Sequence, residues 1–87
     1  MKISKGFSLS NIAGENIVVP IGTKNVNFKK MITLNGSGAF IWKQLQAEKT
    51  EKELLGAMME EYEIDEATAA KDLKRFISIL KDAEILE

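Results

Sequence analysis

The chain has 87 residues, contains neither cysteine nor histidine, and carries a formal net charge of −1 at pH 7. A chain of this length forms one domain, residues 1–87, with a small core, because it buries only about 60–65% of its unfolded surface. Without cysteine or histidine it has no disulfides, thiolate metal sites or imidazole catalysis, so we expect neither an enzyme nor a metal or other cofactor.

The charges are divided unevenly along the chain. Residues 1–43 carry six lysines and one acid, Glu15 (+6 − 1 = +5), whereas residues 44–87 carry six basic and twelve acidic residues (+6 − 12 = −6). Both halves can simply be solvated surface, or the basic half can meet an acidic partner. No apolar run approaches the roughly 20 residues that cross a bilayer, and the N-terminus lacks a signal-peptide core, so we expect a cytoplasmic protein without membrane contact.

The first third of the chain has the pattern of β-structure. Apolar and polar residues alternate over Phe7–Ser10, and β-branched residues crowd Asn16–Ile21, with a turn-like stretch from Ala13 to Asn16 between them. Pro20 has no N–H for a β-ladder, so it should lie at a strand end or on an unpaired edge. A second turn is expected at residues 22–25.

The third predicted strand is less regular than the first two. Apolar residues of one parity share one face: Val26, Phe28, Ile32 and Leu34. Lys30 has the same parity and interrupts this face. Either Lys30 marks a β-bulge, or the pairing strand is shorter and lies near Met31–Leu34.

The stretch Leu34–Leu45 turns from strand into helix within two residues. Asn35 or Ser37 can cap this helix through a side-chain oxygen. One apolar stripe follows the helical spacing i, i+3, i+4, i+7: Gly38, Ile41, Trp42 and Leu45. Phe40 points nearly opposite, and a helix that is apolar on several sides is usually central. We therefore expect the other elements to pack around it, with Trp42 in the core.

Two more helices should follow. Thr50 and Glu53 have the spacing of a capping box, and Asp65 can cap a last helix that runs to about Ala83. The apolar face of this last helix is expected to comprise Ala69, Leu73, Phe76, Ile77 and Leu80. Ile85 and Leu86 should fold back onto the core as an extended tail. The predicted fold class is α+β: three N-terminal antiparallel strands followed by three helices.

These residues together resemble the PqqD-like family. The resemblance is most specific around Leu34-Asn35, Ser37-Gly38-Ala39, Ile41-Trp42 and Leu45. It continues through Thr50, Glu53-Leu54, Tyr62, Ile64-Asp65, Asp72-Leu73, Phe76, Leu80 and Ile85-Leu86. A glycine often precedes the final apolar pair in this family, but Glu84 does so here. The resemblance implies a winged-helix-turn-helix-like fold and a recognition element for ribosomally made, post-translationally modified peptides.

Such an element binds the leader segment of a precursor peptide and presents it to a modifying enzyme, often a radical-SAM enzyme. The resemblance implies that the peptide lies as an extra strand beside the third strand, with side chains toward the last helix. An open strand edge and alternating pockets also suit an extended peptide on physical grounds. The predicted edge residues are Lys29, Lys30, Met31, Ile32 and Thr33. The predicted contacts from the last helix are Lys71, Lys74, Arg75, Ser78 and Ile79.

Several alternatives stay open at the level of sequence. The lysines can instead guard the edge against aggregation. Either Arg75 and Ile79 or Lys74 and Ile77 can face the third strand. The protein can also be a scaffold without a leader peptide, or a homodimer paired through an exposed strand edge. A DNA-binding winged helix is disfavoured, because residues 65–84 carry five acids against four bases (−5 + 4 = −1) and nucleic-acid binding requires a basic footprint.

Overall fold

The computed structural model describes residues 1–21 and 32–87, and it contains three strands followed by three helices. The strands are β1 (Phe7–Ile12), β2 (Glu15–Pro20) and β3 (Ile32–Leu34). The helices are α1 (Gly36–Gln44), α2 (Glu51–Tyr62) and α3 (Glu66–Asp82). The predicted α+β class and element order are confirmed. The predicted turn at residues 22–25 and the possible bulge at Lys30 lie outside the described residues.

A tight hairpin joins β1 to β2. Ala13 and Gly14 form its two-residue turn, with φ angles of 54° and 83°. Positive φ at both positions matches the right-handed twist of the flanking strands, as in a type I′ turn. The register pairs Phe7 with Pro20 and Ile12 with Glu15 in antiparallel order. Strand β1 extends two residues beyond the predicted Phe7–Ser10, because the turn is tighter than the sequence indicated.

Pro20 ends β2, as predicted. The next residue, Ile21, donates its N–H to the Gly6 carbonyl at 2.8 Å, so the odd-numbered N–H groups of this strand point toward β1. Successive N–H groups alternate in direction along a strand. The N–H of residue 20 would therefore point toward the β3 side, and proline removes that donor from the ladder.

Strand β3 forms one edge of the sheet, whose order is β1-β2-β3. Its register pairs Leu34 with Asn16 and Ile32 with Val18. Since the odd-numbered residues of β2 bond to β1, its even-numbered residues, Asn16 and Val18, direct their backbone groups toward β3. Leu34 and Ile32 therefore form the hydrogen-bonded pairs, and the N–H and C=O groups of Thr33 point away from β2. Thr33 thus presents an outward backbone donor and acceptor at this edge.

Helix α1 begins directly after β3. The Gly38 N–H donates to the Asn35 side-chain oxygen at 2.8 Å, so Asn35 is the cap, and the Ser37 hydroxyl also donates to that oxygen at 3.0 Å. The predicted stripe of α1 is buried in the core: Gly38, Ile41, Trp42 and Leu45. Phe40 is half-buried on another side, where its ring meets Tyr62 edge-on at 5.5 Å. The central position of Leu34–Leu45 is therefore confirmed.

The other two helices start with the predicted caps. Thr50 and Glu53 form a reciprocal capping box on α2, and the Asp65 carboxylate accepts from the Thr68 N–H at 2.7 Å on α3. The predicted apolar face of α3 is buried throughout: Ala69, Leu73, Phe76, Ile77 and Leu80.

The two ends of the chain close the core together. Ile3 forms a bridge to Leu86 and donates its N–H to the Leu45 carbonyl at 2.9 Å. Ile85 is fully buried, which confirms that the C-terminal segment folds back. None of the helices in residues 1–21 and 32–87 combines the length and apolarity needed to span a membrane.

Candidate functional site

A groove of about 200 Å³ lies between the end of β3, the start of α1 and one side of α3. Residues from these elements and from α2 line it: Thr33, Leu34, Asn35, Ser37, Gly38, Ile41, Met58, Asp72, Arg75, Phe76 and Ile79. The groove forms because β3 ends at Leu34, which lets α1 turn away from the sheet immediately, while α3 packs alongside. Its geometry therefore follows from the Asn35 cap that ends the strand and starts the helix.

The floor of this groove is apolar. Leu34, Ile41, Met58 and Phe76 are all buried and belong to the core cluster. Gly38 completes the floor without a side chain. An apolar floor can accept apolar side chains from a ligand, since their burial is worth about 25 cal/mol per Å².

The rim of the groove carries a polar or charged group on each side. On the sheet side, the exposed Thr33 offers its outward N–H and C=O groups. On the helix side lie Arg75 and Ile79. The exposed fraction of Ile79, 41%, is high for an isoleucine. Arg75 forms no ion pair with any residue in the described part of the chain. Its guanidinium can therefore donate charge-assisted hydrogen bonds to a ligand carboxylate.

The start of α1 adds to the positive character of the rim. This helix has no acidic residue in its first turn, so none of its own side chains offsets the positive end of its dipole there. Asp72 is half-buried and is the carboxylate among the residues that line the described groove. It lies one helical turn before Arg75 on the same side of α3. The groove therefore offers a ligand both a carboxylate acceptor and a guanidinium donor.

Three of the predicted contact residues come together in this groove: Thr33, Arg75 and Ile79. The alternative left open by the sequence is resolved, because the side of α3 with Arg75 and Ile79 faces the groove beside β3. Ile32 is half-buried against the core, and its backbone groups pair with Val18. It therefore supports the edge without presenting outward backbone groups.

The remaining predicted contacts lie elsewhere. Lys74 and Ser78 line another depression with Glu51, Ile77, Lys81 and Asp82, on the side of α3 that faces the start of α2. Lys71 is exposed on α3 and is not among the residues that line the groove. Lys29, Lys30 and Met31 lie outside the described residues.

Sequence reasoning missed the part of the groove that the end of β3, the start of α1, one residue of α2 and two residues of α3 provide. The missed residues are Asn35, Ser37, Gly38, Ile41, Met58, Asp72 and Phe76, together with Leu34. Most of them were correctly interpreted as cap or core residues, and a core residue can also form the floor of a groove. One signal was available, because Asp72, Arg75 and Ile79 follow the spacing i, i+3, i+7 and share one helix face.

The clearly displaced pKa values among the described residues belong to helix caps and not to the groove. The Thr50 backbone N–H, followed by its hydroxyl, holds the pKa of Glu53 below its ordinary value. The Thr68 backbone N–H, followed by the Thr68 side chain, does the same for the pKa of Asp65. Within residues 1–21 and 32–87, no group of three or more acidic side chains is arranged to hold a metal ion.

Comparison with known proteins places this fold and groove in context. A solved structure described as "TbiB1 in Complex with the TbiA(beta) Leader Peptide" superposes with a TM-score of 0.77 and 29% sequence identity, over 100% of this chain and 95% of that chain. No curated protein matches the sequence significantly. The family model for coenzyme PQQ synthesis protein D, PqqD, matches residues 15–86. Because this match covers most of the sequence, the chain belongs to the PqqD family.

Proposed function

We propose that the protein is a peptide-recognition element that binds the leader segment of a ribosomally made precursor peptide in the β3–α3 groove. The observation that carries the proposal is the groove itself, in which an outward strand edge faces an apolar floor and an arginine that forms no ion pair with another described residue. The similarity to a protein solved with a leader peptide, and membership of the PqqD family, support the same conclusion.

The peptide binds as an extra strand beside β3. Thr33 supplies an outward backbone N–H and C=O, which an extended chain can satisfy with its own C=O and N–H groups. Alternate side chains of an added strand point to the same face, so every second side chain enters the groove. Backbone pairing gives affinity, and the groove gives preference for particular side chains.

The dimensions of the groove favour a peptide over a small-molecule substrate. Pockets that enclose drug-sized ligands usually measure about 300–1,000 Å³. The groove here is smaller, at about 200 Å³, and opens along the strand edge. It suits one or two apolar side chains of a chain that continues beyond it, with an acidic side chain placed near Arg75.

The bound leader is then presented to a modifying enzyme of the radical-SAM type. In this role the protein itself carries out no chemistry, and its contribution is to raise the local concentration of the peptide near the enzyme. The absence of cysteine and histidine from the sequence agrees with a binding role.

Backbone NMR tests the peptide site directly. The ¹⁵N-labelled protein is titrated with synthetic peptides that tile the short precursor-like reading frames encoded beside its gene. We expect the largest shift changes at Thr33, Leu34, Arg75 and Ile79, with little change at the exposed Lys52 on α2. Shift changes confined to α2 would contradict the proposal.

A pair of substitutions at Thr33 tests strand addition. Thr33→Pro removes the outward N–H and should weaken the tightest peptide at least about tenfold, because an edge hydrogen bond is lost and the ring obstructs pairing. Thr33→Ala keeps the N–H and should bind within about twofold of the original. Equal binding by both variants, each confirmed as folded by circular dichroism, would exclude strand addition at β3.

A further inference from the structure

The β3–α3 groove contains a carboxylate that the proposed function has not yet used, that of Asp72. This residue is half-buried on α3, one helical turn before Arg75. Its carboxylate forms no hydrogen bond or ion pair with another described residue, Arg75 included. The hydroxyl of Ser37, which lines the same groove, already donates to the Asn35 side chain at 3.0 Å. A donor for Asp72 is therefore something that a ligand can supply.

Peptide binding changes the surroundings of Asp72. A strand added beside β3 covers the groove and removes water from a side chain that is already half-buried. A carboxylate that loses water without gaining a donor destabilises the complex, whereas a lysine or arginine of the ligand restores a charge-assisted hydrogen bond. A second acidic side chain at this point would add repulsion. Asp72 therefore favours a peptide that places a basic side chain beside it.

The spacing along α3 sets where that basic residue falls in the peptide sequence. Because a helix rises 1.5 Å per residue, Asp72 and Arg75 are about 4.5 Å apart along the axis, and Ile79 lies about 6 Å further on. Side chains on one face of a strand repeat every two residues, at roughly 6.6 Å. The long side chains of lysine, arginine and glutamate can span the difference of about 2 Å. The three residues of α3 thus match three alternate positions of an extended peptide.

We propose that Asp72 is a specificity-determining residue, which makes the groove select leader peptides with a basic, an acidic and an apolar residue at alternate positions. This inference rests on the proposed peptide-binding function. The basic side chain pairs with Asp72, the acidic one pairs with Arg75, and the apolar one packs beside Ile79. The order is base-x-acid-x-apolar along the direction of α3, and it is reversed in a leader that runs the opposite way.

A leader recognised through its acidic residues alone makes the opposite prediction. In that case Asp72 only repels the peptide and competes for Arg75. Removing its charge would then strengthen binding, whereas the proposal requires binding to weaken. The sign of the effect therefore separates the two modes of recognition.

Calorimetric titration of the full chain tests the role of Asp72. The probe is the synthetic precursor tile that binds the unmodified chain most tightly, and we expect it to carry a lysine or arginine two positions from an aspartate or glutamate. Asp72→Asn keeps the shape of the side chain and should weaken this tile at least about fivefold. Asp82→Asn makes the same change on α3 in the other depression, and it should alter the affinity by less than about twofold.

A double-mutant cycle connects Asp72 to the basic residue of the tile. Replacing that residue by glutamine should weaken binding to the unmodified chain at least about fivefold, but should change binding to Asp72→Asn by less than about twofold. Additive losses, stronger binding by Asp72→Asn, or a tightest tile without a basic residue would overturn the inference. If the tile still shifts the Thr33 and Arg75 amides, the peptide-binding function stands in each of these cases. If no tile shifts those amides, both proposals fail.

Discussion

At the scale of single residues, left-handed backbone marks where the elements end. Glu84 has a φ of 58° just after the C-cap of α3. The Ile85 N–H reaches the Leu80 carbonyl at 2.9 Å, and the Glu84 N–H reaches the Lys81 carbonyl at 3.0 Å. This pair of hydrogen bonds is a Schellman motif, which favours glycine at the left-handed position. It explains why the PqqD-like pattern often has glycine where this chain has Glu84.

Glu84→Gly should therefore stabilise the protein. A side chain in the left-handed conformation costs about 1 kcal/mol, and glycine avoids this cost at an exposed position. Urea denaturation should show a higher free energy of unfolding by about 0.5–1 kcal/mol. The control Glu84→Ala removes the same carboxylate but keeps a Cβ, so it should gain little. A larger gain from alanine than from glycine would mean that charge, and not backbone strain, is the cause.

At the scale of elements, the helices depend on caps that titrate. The pKa of Asp65 is lowered by its bond from the Thr68 N–H, so the ionised carboxylate stabilises the folded state. This contribution is present above the unfolded pKa of about 3.9 and is lost as the pH falls through the lower folded value. The pKa of Glu53 in the capping box is also lowered, so its contribution to stability is likewise lost as the pH falls.

Asp65→Asn should reduce the loss of stability in acid. Asparagine still offers a side-chain oxygen to the Thr68 N–H, but it does not titrate. The urea midpoint of the variant should therefore fall less than that of the original chain as the pH is lowered from about 6 to about 2.5. Glu60→Gln, at an exposed carboxylate on α2, serves as the control. An identical acid dependence in Asp65→Asn and the original chain would contradict this role.

Helix α3 has two polar sides, and its packing decides which one a ligand meets. Arg75 and Lys74 are adjacent, exposed and equally charged, yet Arg75 lines the groove and Lys74 lines a different depression. We expect Arg75→Ala to weaken the binding of an acidic leader peptide at least about tenfold, since a charge-assisted hydrogen bond contributes roughly 1.5–3 kcal/mol. Lys74→Ala should change the affinity by less than about twofold.

Calorimetric titration of the same peptide into both variants provides the measurement. Both substitutions remove one exposed cation from α3, so their general electrostatic effects are matched. A direct contact predicts that Arg75→Ala alone loses affinity relative to the original chain. It also predicts that this loss shrinks at high salt. Equal losses for the two variants would point instead to the overall charge of the helix.

At the scale of the whole molecule, Gly38 lets the helices approach the sheet. A Cβ at this position would lie 3.2 Å from the Asn35 side-chain oxygen, 3.2 Å from the Leu34 Cβ and 3.4 Å from Phe76. All three neighbours line the groove. The shape of the floor therefore depends on one missing side chain at the junction of β3, α1 and α3.

Alanine substitutions at the two glycines of α1 should have opposite effects. Gly36→Ala meets nothing within 4 Å and should stabilise the fold by about 0.5 kcal/mol through lower chain entropy. Gly38→Ala must displace Leu34 or the capping side chain of Asn35, each 3.2 Å from the added Cβ, and should destabilise the fold by about 1 kcal/mol. Urea denaturation measures both values. Similar gains from both variants would show that the groove floor adapts without cost.

The sequence determined the elements, because their signals are local. Alternation in β1 and β-branched residues in β2 predicted the hairpin. A cap at Asn35 or Ser37 and caps at Thr50 and Asp65 predicted the helix starts, and helical spacing predicted the buried face of α3. Pro20 was expected at a strand end or an unpaired edge, and it ends β2. This restriction can be read from sequence because proline lacks a backbone N–H in every structural context. The specific pattern around Trp42 also predicted the family, although Trp42 itself lies in the core.

Only the tertiary structure decided which surfaces face each other. Arg75 and Lys74 are indistinguishable in a helical pattern, and the packing of α3 beside β3 brings only Arg75 to the groove. The outward direction of Thr33 follows from its register with β2, which one residue of slip would reverse. The floor from α1 and α2 was missed for the same reason: a groove joins residues distant in sequence, and its position depends on packing between elements.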